Sequence, residues 1–367
     1  MKKITCLIIV VSLMFVSSCS RKGGVDVKTL DLATSVRPYG DADKAGNLFE
    51  VISFTDVSAQ DESVLSDMGQ TVFYIDDTHF GLVDSQLNGA KRIFRVDETT
   101  GEAELVISRT GRGPGEYLSV TGIEYRDGNY HFADEMSGKS LIYDAQGKLV
   151  EEKKIDKNKN IREIGDGVVA VGNLYGSDTD LDIFSPDGTL LKSYKLSPSD
   201  VKTRFAYLQA VAKMNNDYFF RPSISDTLYR VSAEAVAPYL VLQADKYKMP
   251  LKLYSTLDDN AKSSYMDNVS CNIYGDYAFC DYYFDGKLYR TLWDLDDCSL
   301  IFSTSISGSD DVFGPRVTAR GKAVSIWPSG GSGRDFYAVL LPEEIEALFP
   351  DRAADAGPMV VHLRSRR

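Results

Sequence analysis

Six residues that could bind a ligand recur at corresponding positions of the sequence, each directly after a short apolar run. They are Asp84, Asp134, Asn173, Arg221, Asp281 and Trp327. If the runs are equivalent strands of a repeated unit, these side chains share one face, where they could bind a cation, a sugar or a peptide end. The alternative is that the Asp and Asn side chains cap the turns that follow the strands. Repetition alone would produce such caps, so capping is the simpler interpretation.

A second candidate is the segment SRTGRGPGEY at residues 108–117, which could bind an anion through Arg109 and Arg112. Its three glycines and its proline instead indicate a conformational role, because glycine permits positive φ and proline fixes a turn. We favour this structural interpretation, in which Glu116 accepts hydrogen bonds from loop amides and Tyr117 packs between repeats. The segment differs from a phosphate-binding loop, because no lysine follows the glycines.

Familiar catalytic patterns are absent from the sequence. The histidines His79, His131 and His362 are not clustered, and neither an H-E-x-x-H motif nor the Cys/His spacing of a zinc site occurs. There is no G-x-S-x-G nucleophile motif. The 53 acidic residues outnumber the 41 basic ones, which gives a net charge of −12 and argues against nucleic acid as a partner. The sequence therefore predicts no catalytic residue and no resident cofactor.

The N-terminus predicts export and lipidation. Two lysines precede an apolar run over residues 4–16 that is too short for a comfortable membrane span. The sequence VSSC ending at Cys19 is similar to a bacterial lipobox, which predicts that residues 1–18 are a signal peptide and that acyl chains on Cys19 anchor the protein. Residues 19–45 are then the lipidated end and a flexible tether. Residues 20–24, directly after Cys19, are SRKGG and contain no acidic residue, so we expect an outer-membrane lipoprotein that faces the periplasm, with surface exposure as the alternative.

Three cysteines remain after the signal peptide and the lipidated residue. Because Cys271, Cys280 and Cys298 are an odd number, they can form at most one disulfide. Cys271 and Cys280 flank a predicted hairpin, so a cross-strand bridge between them is one interpretation. The other is that all three are small buried hydrophobic residues.

The mature chain carries a β-rich repeat. Short runs rich in Val, Ile, Tyr and Phe alternate with Asp-Gly and Asn-Asp turns. IYDAQGKL at residues 142–149 matches IFSPDGTL at residues 183–190, an offset of 41 residues. Looser copies begin at Phe94, Leu228 and Leu292. A four-stranded unit that repeats every 40–50 residues or so is typical of a β-propeller. We therefore predict an all-β fold with a propeller over residues 46–350.

Counting the repeats predicts six blades of four strands. Their bounds are roughly residues 70–108, 120–156, 160–197, 206–243, 269–306 and 315–341. The last blade lacks a strand, and the apolar run at residues 49–55 is unassigned. Pairing this N-terminal strand into the last blade would close the ring and cover both open edges. Five or seven blades would also fit such weak repeats. We expect residues 351–367 to be a loose C-terminal tail.

Residues 108–117, followed by the I-Y-D-x-x-G-K turn at residues 142–148, resemble the signature of the TolB-like six-bladed propeller lipoproteins of Bacteroidales, which are relatives of the NHL-repeat propellers. This resemblance implies that the signature joins the outer strand of one blade to the inner strand of the next, and it leaves the activity open. Some six-bladed propellers are calcium-dependent lactonases or lyases. By that analogy of fold alone, the ligands of a possible calcium ion would be Asp84, Asp134, Asn173 and Asp281.

These patterns favour a monomeric, lipid-anchored binding or scaffold module that presents a propeller face to an envelope protein, a peptide or a glycan. A calcium-dependent enzyme of the lactonase or lyase type is the alternative. A third interpretation is a structural part of an envelope complex that uses the sides of the blades or the insertion at residues 245–268.

Overall fold

Strands account for most of the protein, as the repeat predicts. The computed structural model describes residues 27–367 except 60–64, 66–70, 87–88, 156–158, 174–176, 198–210, 223, 256–261, 308–311 and 353–356. Cys19 and the signal peptide therefore lie outside the described residues. Across the described ranges, no helix is long and apolar enough to cross a bilayer.

The N-terminal residues of the domain are folded onto the propeller. Strand β1 (Lys28–Asp31) adds a parallel strand to the outer edge of the fourth blade, and a short helix α1 (Ala42–Gly46) follows. Leu30 and Leu32 are completely buried. The prediction of a flexible tether over residues 19–45 is thus wrong from residue 28 onward, because these leucines contribute to a hydrophobic core. Strands β2 (Phe49–Asp56) and β3 (Ser58–Ala59) come next.

The first three blades are regular antiparallel sheets. The first contains β4 (Thr71–Tyr74), β5 (His79–Ser85), β6 (Lys91–Asp97) and β7 (Glu102–Ile107), with β3 added at its outer edge. The second contains β8 (Thr121–Arg126), β9 (Asn129–Asp134), β10 (Lys139–Asp144) and β11 (Leu149–Lys154). The third contains β12 (Lys159–Gly165), β13 (Val168–Asn173), β14 (Leu181–Phe184) and β15 (Leu190–Tyr194). In each blade the first strand is innermost, so β4, β8 and β12 face the central axis.

The next two blades repeat the same order. The fourth contains β16 (Val211–Met214), β17 (Asp217–Phe220), β18 (Thr227–Val231) and β19 (Val236–Gln243). Two 3-10 turns, Asp245–Tyr247 and Leu251–Ser255, lie in the predicted insertion. The fifth contains β20 (Asp267–Tyr274), β21 (Tyr277–Phe284), β22 (Lys287–Asp294) and β23 (Leu300–Ile306).

The sixth blade is built from both ends of the chain. After a separate hairpin of β24 (Arg316–Ala319) and β25 (Lys322–Ser325), the blade contains β26 (Gly330–Ser332), β27 (Asp335–Val339), β28 (Met359–Ser365) and β2. Helix α2 (Pro342–Leu348) joins β27 to β28. The six-bladed propeller and its closure by the N-terminal strand are therefore confirmed.

The prediction of a loose tail over residues 351–367 is wrong. Strand β28 pairs with β27 on one side and with β2 on the other, in both cases antiparallel. Val360, Val361 and Leu363 are completely buried. Burial of this apolar run supplies the strand that the predicted sixth blade lacks, whereas β24 and β25, counted in that blade from the sequence, form a sheet of their own.

Candidate functional site

The structure places the predicted rim carboxylates inside the blades. Asp84 and Asp134 are completely buried. Asp84 Oδ2 accepts hydrogen bonds from Gln86 and from Arg92, whose Nη2 lies 2.6 Å away. Asp134 accepts from the backbone N–H of Leu118 at 3.0 Å and from the Ser119 hydroxyl at 2.7 Å. Asp134 also accepts from the Ser137 N–H and so caps the turn after its strand, in agreement with the simpler interpretation, whereas Asp84 forms an ion pair with Arg92 on the neighbouring strand.

The other four rim residues are also engaged with their neighbours. Asn173 donates to Asp182 Oδ2 at 2.7 Å, and Asp281 accepts from the Ser270 hydroxyl at 2.7 Å. Arg221 donates to the Val269 carbonyl. The indole of Trp327 follows β25, outside the sixth blade, and packs against Phe279 and under the Arg290 guanidinium. The second strand of a blade lies one place out from the axis, so its end does not form a ring at the channel mouth.

A calcium ion does not fit these residues. Asp134, Asn173 and Asp281 belong to blades two, three and five, and each is hydrogen-bonded within or next to its own blade. Within the described ranges, no group of three or more His, Cys, Asp or Glu side chains is arranged to hold a metal ion. We therefore derive no chemistry through calcium at these positions.

The glycine-rich segment is held as a structural loop. Glu116 Oε2 accepts from the Gly113 N–H at 2.7 Å, and buried Tyr117 packs in the core between the first two blades. The Lys139 ammonium donates to the Gly113 carbonyl at 2.5 Å. Arg109 and Arg112 are both exposed on the outside of the loop. Their binding of an anion stays a prediction.

The interface between the second and third blades is built differently from the others. Clusters of buried hydrophobic residues join blades one and two, three and four, four and five, five and six, and six and one. In the described part of the chain, no such cluster joins blades two and three. A cavity of about 980 Å³ lies there and in the central channel instead.

This cavity combines the axial channel with a side arm between two blades. All six innermost strands contribute to its wall, from Thr71 on β4 to Gly331 on β26. The side arm reaches Ile142 on β10, Glu151 on β11 and the turn after Phe184. A volume near 1,000 Å³ is at the upper end of ordinary small-molecule sites. None of the eight binding residues predicted from the sequence lines it.

A charged network occupies the inner wall of the cavity. Glu124 on β8 is surrounded by three cations at ion-pair distance: Arg126 and Arg162 at 3.9 Å, and Lys213 at 3.8 Å. Arg126 also donates to Glu163 across the blade interface at 2.9 Å. Blades two, three and four each contribute at least one of these residues, so the network depends on the folded ring.

The network is incompletely hydrogen-bonded. Glu124 Oε2, Arg162 Nε and His131 Nε2 are buried polar atoms without a hydrogen-bond partner among the described residues. Burial and the nearby Arg126 charge lower the pKa of His131, so its ring is neutral at physiological pH. Unsatisfied buried polar atoms cost about 1–3 kcal/mol each, which is a cost that folds tolerate mainly at functional sites.

The sequence motifs did not identify these residues. Glu124, Arg126, Arg162, Glu163 and Lys213 are charged residues on innermost strands, where the channel rather than the bulk solvent is their neighbour. The available signal was the pair of charges at alternate positions of β8, in the sequence GIEYR. Recognising it requires knowing that β8 is an innermost strand, which the repeat alignment supplies.

Comparison with known proteins supports the fold and the family. A Bacteroides fragilis protein whose description is that of an exported protein aligns with a TM-score of 0.66 and 13% identity, over 93% of this chain and 100% of that one. A member of the DUF4221 family from Bacteroides vulgatus aligns with a TM-score of 0.48 and 10% identity, over 87% and 99%. A streptogramin B lyase aligns with a TM-score of 0.43 and 12% identity, over 86% and 98%.

At 13% identity the first likeness shows a shared fold alone, and the other two carry no argument about function. No curated protein matches the sequence. The family model described as a domain of unknown function, DUF4934, matches residues 29–359, so this chain belongs to the DUF4934 family.

Proposed function

We propose that this DUF4934 protein is a ligand-binding module of the bacterial cell envelope and that the cavity between its second and third blades is the binding site. The observation that carries the proposal is the contrast between interfaces. Five interfaces are closed by hydrophobic clusters, whereas this one opens into a cavity of about 980 Å³ that is lined by both charged and apolar side chains. Hydrophobic burial stabilises a blade interface, so an open and charged one costs stability and needs another reason.

The sequence supplies the rest of the proposal. The lipobox-like sequence at Cys19 would anchor the domain to the outer membrane, facing the periplasm. The resemblance to TolB-like propeller lipoproteins supports the same location. A rigid ring with a polar cavity suits the recognition of a peptide or a glycan from the envelope. No observation in the described residues favours the calcium-dependent enzyme.

The proposal is tested by blocking the cavity. Ser140 lines the side arm on β10 and Ala212 lines the channel on β16, so Ser140→Trp and Ala212→Trp each place an indole in the space. Thermal unfolding of the full chain in detergent is followed with a panel of neutral, acidic and basic oligosaccharides and tripeptides. We expect at least one probe to raise the unfolding temperature of the wild type and of neither variant.

The matched control is Ala235→Trp, which adds the same ring at an exposed turn of the fourth blade and should keep the response. A probe that stabilises all four proteins equally would show that binding occurs outside the cavity. If no probe of the panel stabilises the wild type, the proposed function is wrong.

A further inference from the structure

Lys213 is an incompletely neutralised charge of the cavity wall. Its ammonium lies 3.8 Å from Glu124 Oε2 and makes no hydrogen bond to any residue in the described ranges. Its side chain is one-third exposed, at 33%, and lines the cavity beside the ring of Tyr218. An ammonium group has three N–H donors. Lys213 therefore presents unused donors to whatever occupies the cavity.

Arg162 adds a second cation at the same point. Its Nη1 donates to the Gly122 carbonyl, and its Nε, 3.9 Å from Glu124 Oε1, has no hydrogen-bond partner among the described residues. Glu124 is thus the nearest carboxylate for both Arg162 and Lys213, yet neither reaches it with a hydrogen bond. One carboxylate shared at this distance leaves the two cations only partly neutralised.

The cavity wall has an excess of positive charge, which fits an anionic ligand. Three cations, Arg126, Arg162 and Lys213, face the two carboxylates of Glu124 and Glu163, which leaves one net positive charge in the inner network. The rest of the lining adds another, because it contains three lysines and two carboxylates: Lys153, Lys154, Lys159, Glu151 and Asp187. The whole chain has a net charge of −12, so this wall is a local exception. A positive site inside a low-dielectric cleft attracts anions selectively.

The donors of the inner network suit a carboxylate group. A carboxylate carries one charge and two acceptor oxygens, which the ammonium and guanidinium donors can share. The two glutamates can in turn accept hydrogen bonds from hydroxyl or amide groups of the same ligand.

We propose that the cavity binds a small organic carboxylate whose carboxylate group contacts Lys213 and Arg162. This inference rests on the proposed function, because it assumes that the cavity is the ligand site. Acidic sugars and the C-terminal ends of short peptides share this chemistry, and the volume of about 980 Å³ admits either one.

Isothermal titration with matched acid and neutral probes tests the inference on the full chain. The sugar pair is a disaccharide with one uronic acid and its methyl ester. The peptide pair is an N-acetylated tripeptide and its C-terminal amide. We expect one acid to bind about tenfold or more tightly than its neutral partner, because a hydrogen bond to a charged group is worth about 1.5–3 kcal/mol. The pair that shows this difference identifies the source of the carboxylate.

Lys213→Gln provides the residue-level test. The variant removes the charge, keeps a polar side chain that is one atom shorter, and breaks no hydrogen bond of the described structure, so we expect it to unfold at nearly the wild-type temperature. It should bind the acid about tenfold more weakly and the neutral probe unchanged. Lys287→Gln, at an exposed position on β22, removes the same charge far along the chain and should leave both affinities unchanged.

The outcomes separate this inference from the proposed function. If acid and neutral probes bind equally well, or if Lys213→Gln keeps the preference for the acid, the carboxylate inference is wrong. If only a neutral or basic probe of the larger panel binds, and Ser140→Trp abolishes that binding, the cavity is a site and the inference about its ligand is wrong. If nothing binds, both are wrong.

Discussion

Cys271 lies directly opposite Cys280 in the antiparallel pair of β20 and β21. Both residues are buried in the core between the fourth and fifth blades, where Cys280 has no exposure at all. The hydrogen bond with Cys271 and the burial raise the pKa of the Cys280 thiol. Directly opposed residues of an antiparallel pair have Cα atoms about 4.5–5.5 Å apart, which is within the range that a disulfide spans.

This register predicts a Cys271–Cys280 disulfide when the chain folds with an oxidant. We expect refolding with oxidised glutathione to give one bridge, the two thiols losing two hydrogen atoms while the oxidant becomes two glutathione thiols. Non-reducing peptide mapping checks the pairing. All three cysteines are free thiols in the structure. Cys298→Ser should form the same bridge, since Cys298 is not opposite either partner. A map that links Cys298, or that finds both residues alkylated after oxidation, would contradict the prediction.

Phe49 tests the closure of the ring. Its ring packs edge-on against Tyr277 and Phe336 and lies 5.7 Å from that of Phe279, so the N-terminal strand ties the sixth blade to the fifth. We expect Phe49→Ala to lower the free energy of unfolding by about 3–5 kcal/mol, as for other buried aromatic residues. Ile52→Ala on the same strand, at a position 40% exposed, should cost less than about 1.5 kcal/mol. Equal losses in denaturant unfolding would show that the packing of Phe49 against the fifth blade does not stabilise the closure.

The repeat was readable because each blade carries its own turn and its own apolar strands. The residues that could not be predicted from the sequence are those whose role depends on contacts with residues that are distant along the chain. Ser329–Gly333 has the composition of a long hairpin loop, yet Gly330 begins the innermost strand of the last blade. A Cβ at Gly330 would lie 1.6 Å from the Val72 carbonyl oxygen, so only glycine permits this close approach of β26 to β4.

The candidate site shows the same division between local and non-local information. Turn chemistry predicted that Asp134 caps the turn after its strand, because the Ser137 N–H is only three residues away, but it did not predict the bonds from Leu118 and Ser119, which are 16 and 15 residues away. The network of Glu124, Arg162 and Lys213 joins three blades, and its two cations lie 38 and 89 residues along the chain from Glu124. No local sequence pattern encodes contacts among strands of three different blades. These contacts form only when the ring is closed.

Asp134 tests whether the strand-end carboxylates are structural. Burial alone would raise its pKa, but hydrogen bonds from Ser137, Leu118 and Ser119 outweigh it and lower the pKa below the usual range. Its stabilising effect is therefore present above the pKa of the unfolded chain and is lost as the pH falls through the lowered value. We expect Asp134→Asn to lower the free energy of unfolding at pH 7 by about 1–3 kcal/mol.

The control for Asp134 is Asp127→Asn, at an exposed turn of the same blade, which should be nearly neutral. Millimolar calcium should leave the unfolding temperature of the wild type unchanged, because the Asp134 carboxylate is already used by its donors. A saturable calcium-dependent rise that disappears in Asp134→Asn would restore the metal-site interpretation.

The lowered pKa of His131 predicts that the folded protein becomes less stable in mild acid. Burial is the main reason that its pKa is lowered from 6.5, and the Arg126 charge adds to it, while Glu124 and Glu163 oppose the shift. The folded protein thus binds fewer protons here than the unfolded chain. The resulting stability is present above the unfolded-state pKa and is lost as the pH falls through the lowered value.

Denaturant unfolding should show a smaller loss of unfolding free energy between pH 8 and pH 5 for His131→Gln than for the wild type. Parallel profiles would contradict this assignment.

The raised pKa of Glu344 on α2 predicts the opposite dependence of stability on pH. Burial raises the pKa of its carboxyl group to about 7, although the N–H groups of Ser325 and Leu341 donate to it. A raised carboxyl pKa means that the folded state binds the extra proton, so the contribution of Glu344 to the free energy of unfolding is full below the unfolded-state pKa and is lost as the pH rises through about 7.

Glu344→Gln keeps the acceptor oxygen for Ser325 without the charge. We expect the variant to be about 1 kcal/mol more stable than the wild type at pH 8 and nearly equal to it at pH 5, with solvent screening limiting the effect. Exposed Glu343→Gln is the control and should show no such crossover in unfolding measured at the two pH values. If Glu344→Gln is instead less stable at pH 8, the carboxylate is ionised and stabilising at its place on α2.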